Sequence, residues 1–133
     1  MSGYTRVHLI DDVENMAPRF GMEGIAAHFA RTNLELRNSG LSYFALEPDV
    51  QLPFGHRHGE QEEIYVVLEG GGTCVFEDAE VELGPLDAVR VAPEVARSFR
   101  AGPSGARLLA FGAPNTQGRD AEMIGDFWEQ RGA

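Results

Sequence analysis

Residues 53–70 read PFGHRHGEQEEIYVVLEG, and the spacing inside this stretch decides the fold. His56 and His58 stand two apart. On a β-strand, positions i and i+2 point to the same face, so the spacing aims both imidazoles at one point. Leu52 and Phe54 share that parity, which sets the histidines on the apolar face. Glu63 then opens a second strand-like run, with Tyr65 and Val67 on its own face. Across a tight connection, a carboxylate there meets both imidazoles from a neighbouring strand. Glu62 competes for the role, but its parity places it opposite Tyr65, so Glu63 is preferred. Two imidazoles and one carboxylate suit zinc, manganese, iron, nickel or copper, and form the open-site set of non-haem Fe(II) enzymes. Alone, a His-x-His pair is also common surface decoration; the carboxylate and the glycine turn beyond it are what raise it to a site.

Outward from this stretch, turn signals recur roughly every 8–12 residues and the apolar residues between them mostly alternate, the pattern of short antiparallel strands. Strands are expected at Val7–Ile10, Leu52–His58, Glu63–Glu69, Thr73–Phe76, Val81–Leu83, Ala88–Val91, Ser98–Arg100 and Ala106–Phe111, with a hairpin of Leu34–Leu36 and Leu41–Leu46 across Asn38-Ser39-Gly40. Gly70-Gly71-Gly72 and Gly102-Pro103-Ser104-Gly105 read as chain reversals. Asp11 to Thr32, interrupted by Pro18, Gly21 and Gly24, reads as an irregular arm. A helix is expected over 120–130, where Met123 and Phe127, with Ile124 and Trp128, give an apolar stripe. That stripe is read as core packing. Many strands and one helix imply an all-β closed barrel or double-sheet jelly roll. The expected layout is one domain over 1–133: strand and arm in 1–33, barrel core in 41–111, helix in 120–130.

Composition narrows the function. The chain has 133 residues, with 43% apolar content, enough for a core without staples. Twenty-one acids against eleven bases give a net charge of −10, which repels nucleic acid and anionic membrane alike. Every base is an arginine, which removes lysine Schiff-base chemistry and a phosphate-loop lysine. The single cysteine, Cys74, cannot form an internal disulfide and lies in a strand-like run, so it reads as buried and structural. No apolar run approaches bilayer length, and a cytoplasmic location is expected. His8 and His28 read as structural or solvated. Phe44, Phe54, Tyr65, Phe99 and Phe111 are candidate barrel-lining aromatics.

His56-x-His58, then Glu63, then Gly70 resembles the first motif of the cupin superfamily. The similarity extends loosely through the second-motif region, LGPLDAVRVAPEVARSF, and covers about Leu41 to Phe111. It implies a cupin-type jelly-roll β-barrel (double-stranded β-helix) with the site inside, and often a homodimer. The arm residues Ile10, Phe20, Met22, Ile25 and Phe29, which need cover, point to a homodimer as well. Several motif positions depart from the pattern: Val50, Leu86, Ala92 and Glu94 stand where the family has glycine or proline. Arg97 stands where the resemblance would put the third histidine. A guanidinium has no lone pair and cannot ligate a metal.

Three roles for Arg97 stay open. It pairs with an anionic substrate beside a metal on His56, His58 and Glu63; or it pairs with Glu63 in a metal-free pocket; or it bends to solvent. The expected function is accordingly a small-molecule cupin with a partial 2-His-1-Glu site, acting as a metal-dependent oxygenase or isomerase. Arg97, Tyr65 and Phe99 would contact the ligand, and the cofactor would be Fe, Mn, Zn, Ni or Cu, weakly bound or absent. The alternative is a metal-free binding or sensing module. Fold alone does not choose between them.

Overall fold

The computed structural model describes residues 3–118 and 120–132. A 3-10 turn (Ala17–Phe20) precedes eight strands: β1 (Ile25–Phe29), β2 (Gly40–Leu46), β3 (Gly55–His58), β4 (Glu62–Phe76), β5 (Glu80–Leu83), β6 (Ala88–Val91), β7 (Arg97–Ala113) and β8 (Ala121–Ile124). A short helix, α1 (Phe127–Gly132), ends the described chain. No helix is long and apolar enough to cross a membrane among the described residues.

The two long strands organise everything else. β4 and β7 run antiparallel over their whole length, from Glu62 opposite Ala113 to Phe76 opposite Arg97. The first half of β4 pairs with β6 and the second half with β5. The late part of β7 pairs with β2, which pairs with β1, while its first residue meets β3, which pairs with β8. The result is two five-stranded sheets, β1-β2-β7-β4-β6 and β8-β3-β7-β4-β5, that share one bent ribbon. All pairings are antiparallel, and the architecture is a jelly-roll β-barrel, as the strand rhythm implies.

The ribbon bends where both strands carry glycine. Gly70 (φ 72°) and Gly105 (φ 73°) adopt a left-handed conformation that other residues avoid. A Cβ on Gly70 would fall 2.1 Å from the Gly105 carbonyl oxygen, so the two backbones meet with no room for a side chain. Register shifts at Val67/Glu69 and Gly70/Gly72 mark a bulge, and the inward parity changes across it. Tyr65 and Val67 point inward before the bend and Cys74 after it, joining Phe99, Leu108 and Leu46 in one core. The glycine runs are therefore corners inside continuous strands, and both expected reversals are corrected: each glycine relieves a bend, and the ladder continues through it.

The periphery departs further from expectation. Val7–Ile10 forms a turn, because His8 Nδ1 accepts the backbone N–H groups of Ile10 and Asp11 while Asp12 accepts that of His8. Such local side-chain bonds compete with a ladder. The arm holds a strand, β1, which is the true partner of β2. Leu34–Leu36 cannot serve, since Leu34 and Leu36 donate to Ala30 and Arg31 in a turn and Glu35 has φ 59°. The expected helix over 120–130 is also shorter: Ala121–Ile124 adds a strand to the open edge of β3, and only Phe127–Gly132 is helical. Edge pairing satisfies the backbone groups that the stripe pattern alone could not.

Met123 is consequently exposed, whereas Phe127 packs on Val75 and Ala96. Its ring lies against Gly55, where a Cβ would sit 2.5 Å from it. Phe111 faces outward rather than lining the barrel. His28, its ring tilted against Tyr43, is buried and bonds the Val13 carbonyl; Cys74 is buried and unpaired, and burial pushes its thiol up to about 12.

Candidate metal centre

The bend brings the two tips of the ribbon together. Glu63 lies near the start of β4 in the first sheet, and Arg97 opens β7 in the second. Arg97 Nη2 donates to Glu63 Oε1 at 3.2 Å. His56 is the cross-strand neighbour of Arg97, and His58 follows on the same face. Both imidazoles aim at the same carboxylate oxygen: His56 Nε2 lies 3.2 Å and His58 Nε2 3.3 Å from Glu63 Oε1. The histidines thus converge as their spacing implies. Glu63 reaches them from the facing sheet, because β3 pairs with β7 and β8 rather than with β4. Glu62 is exposed on the outer face, and Glu63 is the glutamate that stands in the cluster.

Glu63 Oε1 is crowded with donors. Besides Arg97 and the imidazoles, the Tyr65 hydroxyl donates to it at 2.6 Å. Burial would raise the Glu63 carboxyl, but hydrogen bonds from His56, His58 and Tyr65 outweigh it and hold the group well below the usual range. Tyr65 shifts the other way: burial and the Glu63 charge push its hydroxyl well up, so it stays a neutral donor. Arg97 is 1% exposed. Its Nη1 donates to the Pro93 and Val95 carbonyls and its Nε to the Tyr65 hydroxyl. Four of its five N–H groups are engaged inside the protein, counting the one on Glu63. The solvent-facing role for Arg97 is thereby removed, and its pairing with Glu63 is what the geometry displays. Phe99 is buried in the core beneath.

Two members of the cluster escape the sequence reading. Asp120 Oδ1 accepts from His58 Nδ1 at 2.8 Å, and its Oδ2 accepts the backbone N–H groups of Glu60 and Gln61. Burial opposes Asp120's charge, but those bonds win and lower its carboxyl. For His58, burial disfavours the charged ring, yet hydrogen bonds to Glu63 and Asp120 raise its basicity overall. Gln61 is the other. Its Nε2 lies 3.3 Å from Glu63 Oε2 and 3.4 Å from His58 Nε2. Gln61 shares Glu63's parity, a signal that its place beside a glycine turn obscured; Asp120 carries no local signal, since only the β3–β8 pairing delivers it.

The ligand atoms of His56, His58 and Glu63 all lie within 4.8 Å of one another. With metal–ligand bonds of about 2.1 Å, octahedral and tetrahedral edges measure about 3.0 and 3.4 Å. The observed 3.2 and 3.3 Å edges fall between them. The cluster is compatible with a first-row transition metal, with His56 the most open of the three.

No protein-family model matches the chain, and no curated protein matches it. Solved structures do. A cupin protein from Bacteroides fragilis is 24% identical with a TM-score of 0.70, over 88% of this chain and 89% of that one. The polyketide cyclase RemF from Streptomyces resistomycificus is 25% identical with a TM-score of 0.69, over 90% and 83%. A variant of Streptomyces PAC13 with uridine is 16% identical with a TM-score of 0.71, over 93% and 92%. The chain has the fold of these cupin structures, a jelly-roll β-barrel.

Proposed function

We propose that the protein is a small-molecule-binding cupin that holds one divalent first-row metal ion, weakly, through His56 Nε2, His58 Nε2 and Glu63 Oε1. The observation that carries this reading is the convergence of both imidazoles on Glu63 Oε1, at 3.2 and 3.3 Å, with all three donors within 4.8 Å of one another. When bound, such an ion would supply a Lewis acid that polarises a ligand oxygen, the chemistry of an isomerase, and a redox-active one such as iron would supply that of an oxygenase. The chain's own residues do the rest. Tyr65 and Arg97 hold Glu63 in place, Asp120 fixes His58 with Nδ1 as its donor, and His56 faces what enters. The remaining Arg97 N–H offers a single contact to an anionic ligand. The cyclase activity in RemF's name and the uridine in the PAC13 structure support small organic ligands for this barrel.

A specific observation favours a second reading, a metal-free binding module. The Arg97–Glu63 contact engages the very oxygen a metal would need, and a neighbouring positive charge weakens cation binding. Titrating tag-free protein with Mn, Fe, Ni, Cu and Zn separates the two. One ion per chain is expected, lost in His56→Ala and bound more tightly by Arg97→His. No uptake of any of the five overturns the metal reading.

We also propose a homodimer through the outer face of the first sheet. Cross-strand partners Ile64 and Phe111 are both exposed there, and cover for them is the support. A dimer mass by light scattering that Phe111→Glu converts to monomer is expected; a monomeric wild type at micromolar concentration overturns it.

A further inference from the structure

The triad offers three donors, and Arg97 stands where a fourth would be expected. Among the described residues, two buried side-chain polar atoms have no hydrogen-bond partner, and one of them, Gln61 Oε1, belongs to this cluster. Gln61 is 3% exposed, so its oxygen does not find bulk water. Its amide packs against β7 at Gly112, where a Cβ would sit 2.4 Å from Nε2. That glycine lets the amide press against Glu63 and His58, with Nε2 within 3.4 Å of both. An unpaired buried carbonyl is costly to retain and calls for a reason.

The chemistry of the two amide ends supplies one. In the neutral ring that a metal needs, with Nδ1 donating to Asp120, His58 Nε2 carries the lone pair, and an N–H of Gln61 faces it at 3.4 Å. A cation bound at that nitrogen takes the lone pair and places positive charge opposite the N–H, which turns attraction into repulsion. The carbonyl end meets the same charge favourably. The two ends of a primary amide are nearly the same shape, so they exchange by rotation about the last side-chain bond. Because Oε1 has no partner, that rotation gives up only the long Nε2 contacts with Glu63 Oε2 and His58 Nε2, which the ion's charge replaces.

We infer that Gln61 turns its amide oxygen toward a bound divalent ion and serves as the fourth protein donor, in the role that Arg97 cannot fill. The resulting set of two imidazoles, a carboxylate and an amide oxygen favours borderline-hard ions such as Mn²⁺ or Fe²⁺ over thiophilic ones. This inference rests on the metal reading above.

The test is calorimetric titration with Mn²⁺ alone on wild type, Gln61→Leu and Gln61→Glu, with His56→Ala as the control for the triad. Gln61→Leu is expected to weaken Mn²⁺ at least tenfold, and Gln61→Glu, which keeps an oxygen donor, to bind at least as tightly as wild type. Thermal melts of the metal-free proteins separate a structural role: loss of packing would lower the melt of Gln61→Leu as well as its affinity. A second readout is the Gln61 side-chain amide resonance, expected to shift on addition of diamagnetic Zn²⁺. Equal affinity in wild type and Gln61→Leu, with His56→Ala inactive, overturns the role of Gln61 and leaves the triad standing. Absence of binding in wild type overturns both. If Gln61→Leu fails to fold, weaker binding by Gln61→Glu or an unmoved amide resonance overturns it as well.

Discussion

At the middle of the β4–β7 ribbon, Gly70 and Gly105 meet backbone to backbone with no side chain between them; at its tips, Glu63 and Arg97 meet through charge. The middle bends because something is missing, and the tips close because something is added. One is a steric device and costs nothing electrostatically. The other takes a carboxylate and a guanidinium out of water, and is tolerable only because nearly every donor and acceptor in it finds a partner. The bend makes the barrel; the clasp ties its tips together.

The comparison breaks most visibly at the clasp. Arg97→Met leaves Glu63 buried without its cation and is expected to cost about 3–5 kcal/mol in urea denaturation. Replacing Glu63 and Arg97 together by apolar residues is expected to cost far less than the sum of the single changes. Additive losses would mean that the pair is not coupled. Next comes Gly70→Ala, which forces a side chain against the Gly105 carbonyl at positive φ. A loss of roughly 1–3 kcal/mol is expected, with metal affinity unchanged; a change in affinity would show that bend and clasp are not separable.

Asp120→Asn sharpens the clasp itself. Removing the carboxylate that orients His58 is expected to weaken metal binding by about 10–100-fold while leaving the bend intact. The smallest effect is in pH. The Glu63 carboxyl is lowered by folding, so its stabilisation is present above the ordinary glutamate range and lost as pH falls through the depressed value. His58 is raised, so its contribution is present below the ordinary histidine value and lost as pH rises through the folded one. Metal-free protein is therefore expected to melt highest in the mildly acidic range between them. Glu63→Gln should flatten the acid limb and His58→Gln the alkaline limb; unchanged limbs would contradict the assignment.

The clasp was more legible in the sequence than the bend. His56, His58 and Glu63 announce themselves because strand parity is a strictly local rule, and Arg97 was found by its place in a loose second motif. The glycine runs misled because glycine marks reversals and bulges alike, and only the partner strand tells them apart. β8 and Asp120 were invisible for a related reason: Ala121–Ile124 reads as helix until the open edge of β3 is there to pair with. Gln61 shares the parity of Glu63, but Gly59 and Glu60 before it give it the look of a polar turn residue.

The shared ribbon also constrains how the molecule comes into being. Each sheet needs β7, whose partners β2, β3 and β4 all precede it in the chain. Neither sheet can close during synthesis until residues 97–113 have left the ribosome, so the first three-quarters of the protein waits with its edges unpaired. Refolding dominated by such distant pairings falls in the millisecond-to-second range. In the cell, the interval before β7 arrives is when this chain has most need of a chaperone.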